Sequence, residues 1–141
     1  MAQKTYFFSG TCKWAKLQQP DTKFGEKYTI DVYLDPASME LFEKSGSRIK
    51  VRQDEDGTFV KFVRPRWGKN KEGKELDFGS PDVLSSDGKT PFDKLVGNGS
   101  KVTCKVEIYT SRYGDGTRLA AVRVDEHVPF EGNQVVGEEL F

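Results

Sequence analysis

The sequence predicts an all-β protein, a β-barrel with one short helix. Apolar and polar residues alternate with a period of two over several stretches, the spacing of half-buried strands. Glycine is abundant, at 14 of 141 residues, and falls at turn-like positions. Asp35-Pro36 carries a helix start signal, and no long helical heptad accompanies it. The length suits one domain with a substantial core.

Thr5 to Leu17 reads as an aromatic-rich extended strand, bent at Gly10. On strict alternation Tyr6, Phe8, Cys12 and Trp14 share one face, and Phe7, Thr11, Lys13 and Ala15 the other. Gln18 to Lys27 is a loop around Pro20, Asp21 and Gly25. Tyr28, Ile30, Val32 and Leu34 then alternate with Thr29, Asp31 and Tyr33, which makes a second strand. Asp35-Pro36 starts a short helix, because Asp suits the N-cap and Pro the first helical position. Met39, Leu41 and Phe42 supply its apolar side, and Gly46 closes it.

Ile49 to Gln53 is a candidate strand, Asp54 to Gly57 a turn, and Thr58 to Arg64 a strong strand that Pro65 ends. Arg66 and Trp67 lead into a basic, glycine-punctuated loop with Lys69, Lys71 and Lys74. Pro81 to Ser86 is a short strand and Asp87-Gly88 a tight turn. Val102, Cys104, Val106 and Ile108 alternate with Thr103, Lys105, Glu107 and Tyr109. Beyond Gly114-Asp115-Gly116 the pattern resumes at Ala120, Val122 and Val124, which makes a long hairpin. Gly97 and Gly99 just before it point to a bulge or a positive φ. The pattern stops after Pro129-Phe130. The expected domain is therefore residues 1–130, with residues 131–141 a mobile acidic tail.

A formal net charge of zero conceals an asymmetry. From Lys44 to Lys74 there are ten Lys and Arg against four Asp and Glu; from Asp125 to Phe141 there are five Asp and Glu and no Lys or Arg. A basic body with an acidic end suggests a polyanion partner and an interaction tail, against the plainer reading of solvated charge. Cys12 and Cys104 are expected to be buried free thiols. No apolar run reaches membrane-spanning length and no apolar N-terminal core is present, so a cytosolic protein is expected.

Catalysis finds little support. His127 is the single histidine. Gly88-Lys89-Thr90 matches only the end of a phosphate loop, with Val83 where the earlier glycine is required. Asp54 to Gly57 lacks calcium-loop spacing, and Cys12, Cys104 and His127 form no zinc pattern. The expectation is a non-enzyme with no metal or cofactor.

Binding is better supported, because basic residues interleave with aromatics on three stretches. These are Trp14 with Lys13 and Lys16; Phe62, Arg64, Arg66, Trp67, Lys69 and Lys71; and Lys105, Tyr109, Arg112, Tyr113 and Arg118. A single nucleic-acid strand needs this pairing, since cations neutralise its phosphates and flat rings stack on its unpaired bases. Each ring also has a packing alternative. Trp14 shares its predicted face with Phe8 and Cys12. Phe59 and Phe62 have opposite parity, so one of them belongs to the core. Trp67 in its basic loop and Tyr113 at its hairpin tip are better placed for ligand contact. A duplex reader would present a helix to the major groove, and the one short helix here carries Glu40 and Glu43.

Gly97-Asn98-Gly99-Ser100-Lys101-Val102, the strand and tip that follow, and Leu119-Ala120-Ala121-Val122-Arg123-Val124 resemble phage-encoded OB-fold single-stranded DNA-binding proteins. Lys27 to Leu34 with its Pro-started helix and Phe59 to Phe62 extend the resemblance. It implies a five-stranded Greek-key barrel with extended hairpins, whose groove holds DNA without sequence preference. The implied setting is phage DNA replication, recombination or repair in the host cytoplasm. It implies that Tyr113 stacks on bases from the hairpin tip. Glu138, Glu139, Leu140 and Phe141 resemble a short version of an acidic tail that contacts polymerase or helicase and competes with DNA. Monomer and dimer both stay open. The alternative is a protein-interaction or virion-assembly module on the same barrel, which would scatter the basic and aromatic residues.

Overall fold

The computed structural model describes residues 2–21, 27–69, 72–111 and 114–128. Along them run β1 (Ala2–Asp21), β2 (Lys27–Leu34), α1 (Pro36–Lys44), β3 (Arg52–Asp54), β4 (Gly57–Pro65), β5 (Trp67–Lys69), β6 (Glu75–Asp77), β7 (Asp82–Leu84), β8 (Lys101–Ser111) and β9 (Gly114–Glu126). The expected loop around Gly25, the side chains of Lys71, Arg112 and Tyr113, and the tail 131–141 lie outside the described residues.

β1 is long because it serves two neighbours. Its first half pairs antiparallel with β8, from Ala2↔Thr110 to Thr11↔Lys101. Its second half pairs antiparallel with β2, starting at Gly10↔Leu34. The strand must bend where the two pairings overlap, and Gly10 sits there. A Cβ on Gly10 would lie 2.2 Å from the Tyr33 carbonyl oxygen, so the close approach of β2 requires glycine.

The main sheet runs β3-β4-β2-β1-β8-β9-β7, and β5 pairs with β6 separately. The five long strands β4, β2, β1, β8 and β9 wrap one core, as expected of an OB-type barrel. Inward alternation places Ile30, Val32, Val60, Phe62, Val102, Cys104, Val106 and Val122 in that core. Phe8 is its centre: its ring lies parallel to Phe62 at 5.7 Å and edge-on to Phe42 at 5.5 Å. Phe42 arrives from α1, which starts as expected and packs Met39 and Phe42 inward, whereas Leu41, expected on the apolar side, is exposed. Asp35 Oδ1 accepts the Ser38 N–H at 2.7 Å, and the Ser45 N–H donates to the Phe42 carbonyl. The Ser9 N–H donates to Ser38 Oγ and the Asp35 N–H to the Ser9 carbonyl, which fix the helix start beside the bend in β1.

Some details differ from the sequence expectations. Trp14 does not share the face of Phe8 and Cys12. Lys13 pairs with Asp31 but Lys16 with Thr29, so one extra residue is inserted. Trp14 takes φ 53°, and this bulge resets the alternation so that Leu17 is buried while Trp14 is 62% exposed. Phe59 and Phe62 divide as their parity implies: Phe62 belongs to the core cluster, while Phe59 is buried on the outer face against Tyr33 at 5.3 Å. The stretch after Pro65 is a hairpin rather than a loop, with Trp67↔Asp77 in register. Of the two expected special glycines, Gly99 has φ 93°. Both cysteines are buried free thiols, and burial pushes Cys12 up to about 11 and raises Cys104 as well.

Gly10→Ala should lower stability by at least the ~1–3 kcal/mol of an ordinary overpacking substitution, because the clash is with backbone. An unchanged urea midpoint would show that β1 does not need this close approach.

Candidate nucleic-acid interface

No backbone ladder among the described residues joins β4 to β9, so side chains close this seam of the barrel. Tyr28↔Arg64, Ile30↔Phe62 and Val32↔Val60 place Arg64 on the inward face of β4. Its guanidinium donates from Nη1 to the Leu119 carbonyl of β9 at 3.2 Å. From Nε and Nη2 it donates to the carbonyls of Gly79 at 3.1 Å and Phe78 at 2.7 Å. Burial, then the nearby Arg118 charge, lowers its pKa. Arg64 is therefore a tie across the seam, which corrects its assignment to the phosphate contacts.

The β5–β6 hairpin is held against the same seam. A Cβ on Gly68 would lie 2.3 Å from the Phe78 ring, so Phe78 rests on bare backbone there. The Phe78 N–H donates to the Arg66 carbonyl at 2.6 Å. On its other side the Phe78 ring meets the Arg118 guanidinium at 5.2 Å, and the Tyr109 ring meets the same guanidinium at 5.9 Å. Arg118 Nε and Nη2 both donate to Glu107 Oε1, at 3.2 and 3.0 Å. Tyr109 in turn lies over Gly116, where a Cβ would come within 2.2 Å of its ring. Arg118, backed by Tyr109, thus joins the segment after β6 to the turn end of β8–β9. They leave Trp67 40% exposed, with the Arg66 guanidinium 4.8 Å from its ring and Arg66 Nε 3.5 Å from Asp77.

The other predicted residues are more dispersed. Phe62 is fully buried between Phe8 and Phe42, with no ring face for a base, and it leaves the stacking set. Trp14 is exposed at the bulge between Lys13 and Lys16, its N–H donating to Asn98 Oδ1 at 2.8 Å. Lys105 is exposed on β8 across from Phe7, one strand removed from β9. Lys69 is placed by its backbone in β5. Lys71, Arg112, Tyr113, Glu138, Glu139, Leu140 and Phe141 lie outside the described residues. The structure therefore brings Arg66, Trp67, Tyr109 and Arg118 together, with Lys105 on the same outward face of β8 as Glu107 and Tyr109, and places Trp14 and Lys16 at the β1 bulge.

Several cations were not singled out by sequence. Lys61 and Val63 point outward from β4 and, with Lys50, Arg52 and Thr117, line an open cavity on the outside of the seam. The alternation of Lys61 and Val63 with Val60 and Phe62 was a legible signal. The approach of Lys50 and Arg52 was not. The Gly88-Lys89-Thr90 segment is no anion cradle. The Asp87 carboxylate takes the Lys89 and Thr90 N–H groups and the Thr90 hydroxyl, the hydroxyl first among the causes that bring its pKa down to about 2.

No protein-family model matches this chain, and no curated protein matches it. Solved structures do. The chain is similar to the crystal structure of gp2.5, a single-stranded DNA-binding protein encoded by bacteriophage T7, with 19% identity and TM-score 0.61 over 99% of each chain. It is similar to the single-stranded DNA-binding protein from bacteriophage Enc34, with 14% identity and TM-score 0.56 over 94% of this chain and 86% of that one. The Enc34 protein in complex with single-stranded DNA matches with 15% identity and TM-score 0.52, over 91% and 89%. At these identities the likeness is one of fold, and it is the all-β fold that the resemblance of residues 97–124 implied.

Arg64→Met should cost about 2–4 kcal/mol, because three carbonyls lose a charged donor. Arg64→Lys should not recover this, since one ammonium cannot span three acceptors. A wild-type denaturation midpoint in either variant would show that the seam closes without the guanidinium.

Proposed function

We propose that this chain binds single-stranded DNA without sequence preference and without catalysing a reaction on it, in support of phage DNA replication, recombination or repair. One observation carries the reading. A fold like that of two phage single-stranded DNA-binding proteins presents, beside the β4–β9 seam, an exposed tryptophan under the guanidinium of Arg66. Cations and an exposed ring on one surface are what an unpaired strand needs.

In this reading Arg66, Lys69, Lys71, Lys105, Arg112 and Lys16 meet phosphates, and Trp67, Tyr113 and Trp14 stack on bases. Tyr109 and Arg118 hold the Trp67 hairpin in place. Residues 1–130 form the binding domain, and the acidic tail 131–141, ending in Glu138, Glu139, Leu140 and Phe141, contacts a replication polymerase or helicase. Among the described residues no helix is long and apolar enough to cross a membrane, and we place the protein in the host cytoplasm.

Binding to oligo-dT should weaken steeply with salt, with a log–log slope of about −0.7 per phosphate contact. No binding at low salt removes the reading. Trp67→Ala should weaken binding by about 1–3 kcal/mol, roughly 5- to 150-fold, with the fold intact. An unchanged affinity would reject stacking by Trp67.

Trp14 offers a test of opposite signs. Its left-handed backbone costs about 1–2 kcal/mol that glycine would not incur, partly offset by the chain entropy of glycine. Trp14→Gly should therefore raise stability by about 0.5–1 kcal/mol while weakening oligo-dT binding. Loss of both stability and affinity would make Trp14 a packing residue instead.

A further inference from the structure

The cavity on the outside of the β4–β9 seam has a volume of about 310 Å³. Six residues line it: Ile49, Lys50, Arg52, Lys61, Val63 and Thr117. They come from three places in the chain. Lys61 and Val63 are outward positions of β4, Thr117 belongs to β9, Ile49 and Lys50 lie between α1 and β3, and Arg52 opens β3. The cavity thus lies on the outer side of the seam that Arg64 ties from within.

Its lining is chemically divided. Ile49 and Val63 are aliphatic, while Lys50, Arg52 and Lys61 bring three cations. Lys50 and Arg52 are exposed. Lys61 has Asp31 at 3.9 Å, and that carboxylate is nearly buried beneath it. The Thr117 hydroxyl is occupied by Ser47 Oγ at 2.9 Å, so it shapes the wall. An occupant must therefore be anionic on one side and apolar on another. The volume lies at the lower end of the roughly 300–1,000 Å³ range of small-ligand sites, which suits one monomer unit.

We propose that this cavity is a subsite for one nucleotide of the bound single strand. The phosphate sits among Lys50, Arg52 and Lys61, and the sugar rests on Ile49 and Val63. This rests on the single-stranded DNA-binding reading. The subsite would carry the strand across the seam on its outer side, and it uses cations other than those of the Trp67 hairpin.

The test is a salt titration of oligo-dT binding with full-length protein. K50Q/R52Q/K61Q is compared with wild type and with a charge-matched variant outside the cavity, K44Q/K89Q/K101Q; thermal midpoints report folding. The cavity variant should fold and still bind, with its log–log slope reduced by about 0.7, the share of one phosphate contact. The matched variant should keep a slope close to wild type. A cavity variant with the wild-type slope overturns the subsite and leaves the DNA-binding reading standing. Equal losses in both triples also overturn it, since a diffuse field of positive charge would then account for binding. Failure of the wild-type protein to bind overturns the DNA-binding reading and the subsite with it.

Discussion

Arg64 lies on the same face of β4 as Val60 and Phe62, yet it ends in three hydrogen bonds to carbonyl oxygens rather than among apolar side chains. This guanidinium spans the gap where the described strands make no ladder. Without it, the β4 edge and the β9 edge would face each other with unsatisfied backbone. Its bond to the Phe78 carbonyl also sets the root of the β5–β6 hairpin. Phe78 then supplies the ring on which Arg118 rests, and Arg118 shares its other side with Tyr109. A single cation thus closes the barrel and begins the chain of contacts that presents Trp67.

At the opposite side of the barrel, β1 solves a different problem. One strand pairs with β8 and then with β2, so it must change direction within the pairing. Gly10 permits the bend by admitting the Tyr33 carbonyl. A few residues later the Trp14 bulge turns an aromatic side chain outward and returns Leu17 to the core. The segment before β8 supports this bulge. The Gly99 N–H donates to the Cys12 carbonyl, the Cys12 N–H to the Ser100 carbonyl, and Asn98 takes the Trp14 N–H. A strained residue that is also exposed gains nothing for the core, so the packing of β1 does not explain a tryptophan at position 14.

The cations therefore divide by their partners. Arg64 and Arg118 spend their donors on carbonyls and on Glu107 and hold elements in place. Lys50, Arg52 and Lys61 surround open volume, Lys61 with the Asp31 carboxylate 3.9 Å away. Sequence composition counts all five alike, and only their neighbours separate framework from surface. The first group decides where the surface that carries the second group stands.

Alternation alone settled much of this protein. The parity of Val102 to Ile108, Tyr28 to Leu34 and Thr58 to Arg64 named the strands and most of the core, because a strand's two faces follow from its covalent geometry. Asp35-Pro36 announced the helix for an equally local reason. The resemblance of residues 97–124 supplied the barrel type. Tertiary structure decided what locality cannot carry. One inserted residue at Trp14 reversed the faces of β1, since parity holds only until a bulge resets it. The core role of Phe62, the tie made by Arg64 and the cavity between Lys50, Lys61 and Thr117 each depend on which strands meet across the barrel. That meeting is set by the packing of distant segments, and no spacing within one segment encodes it.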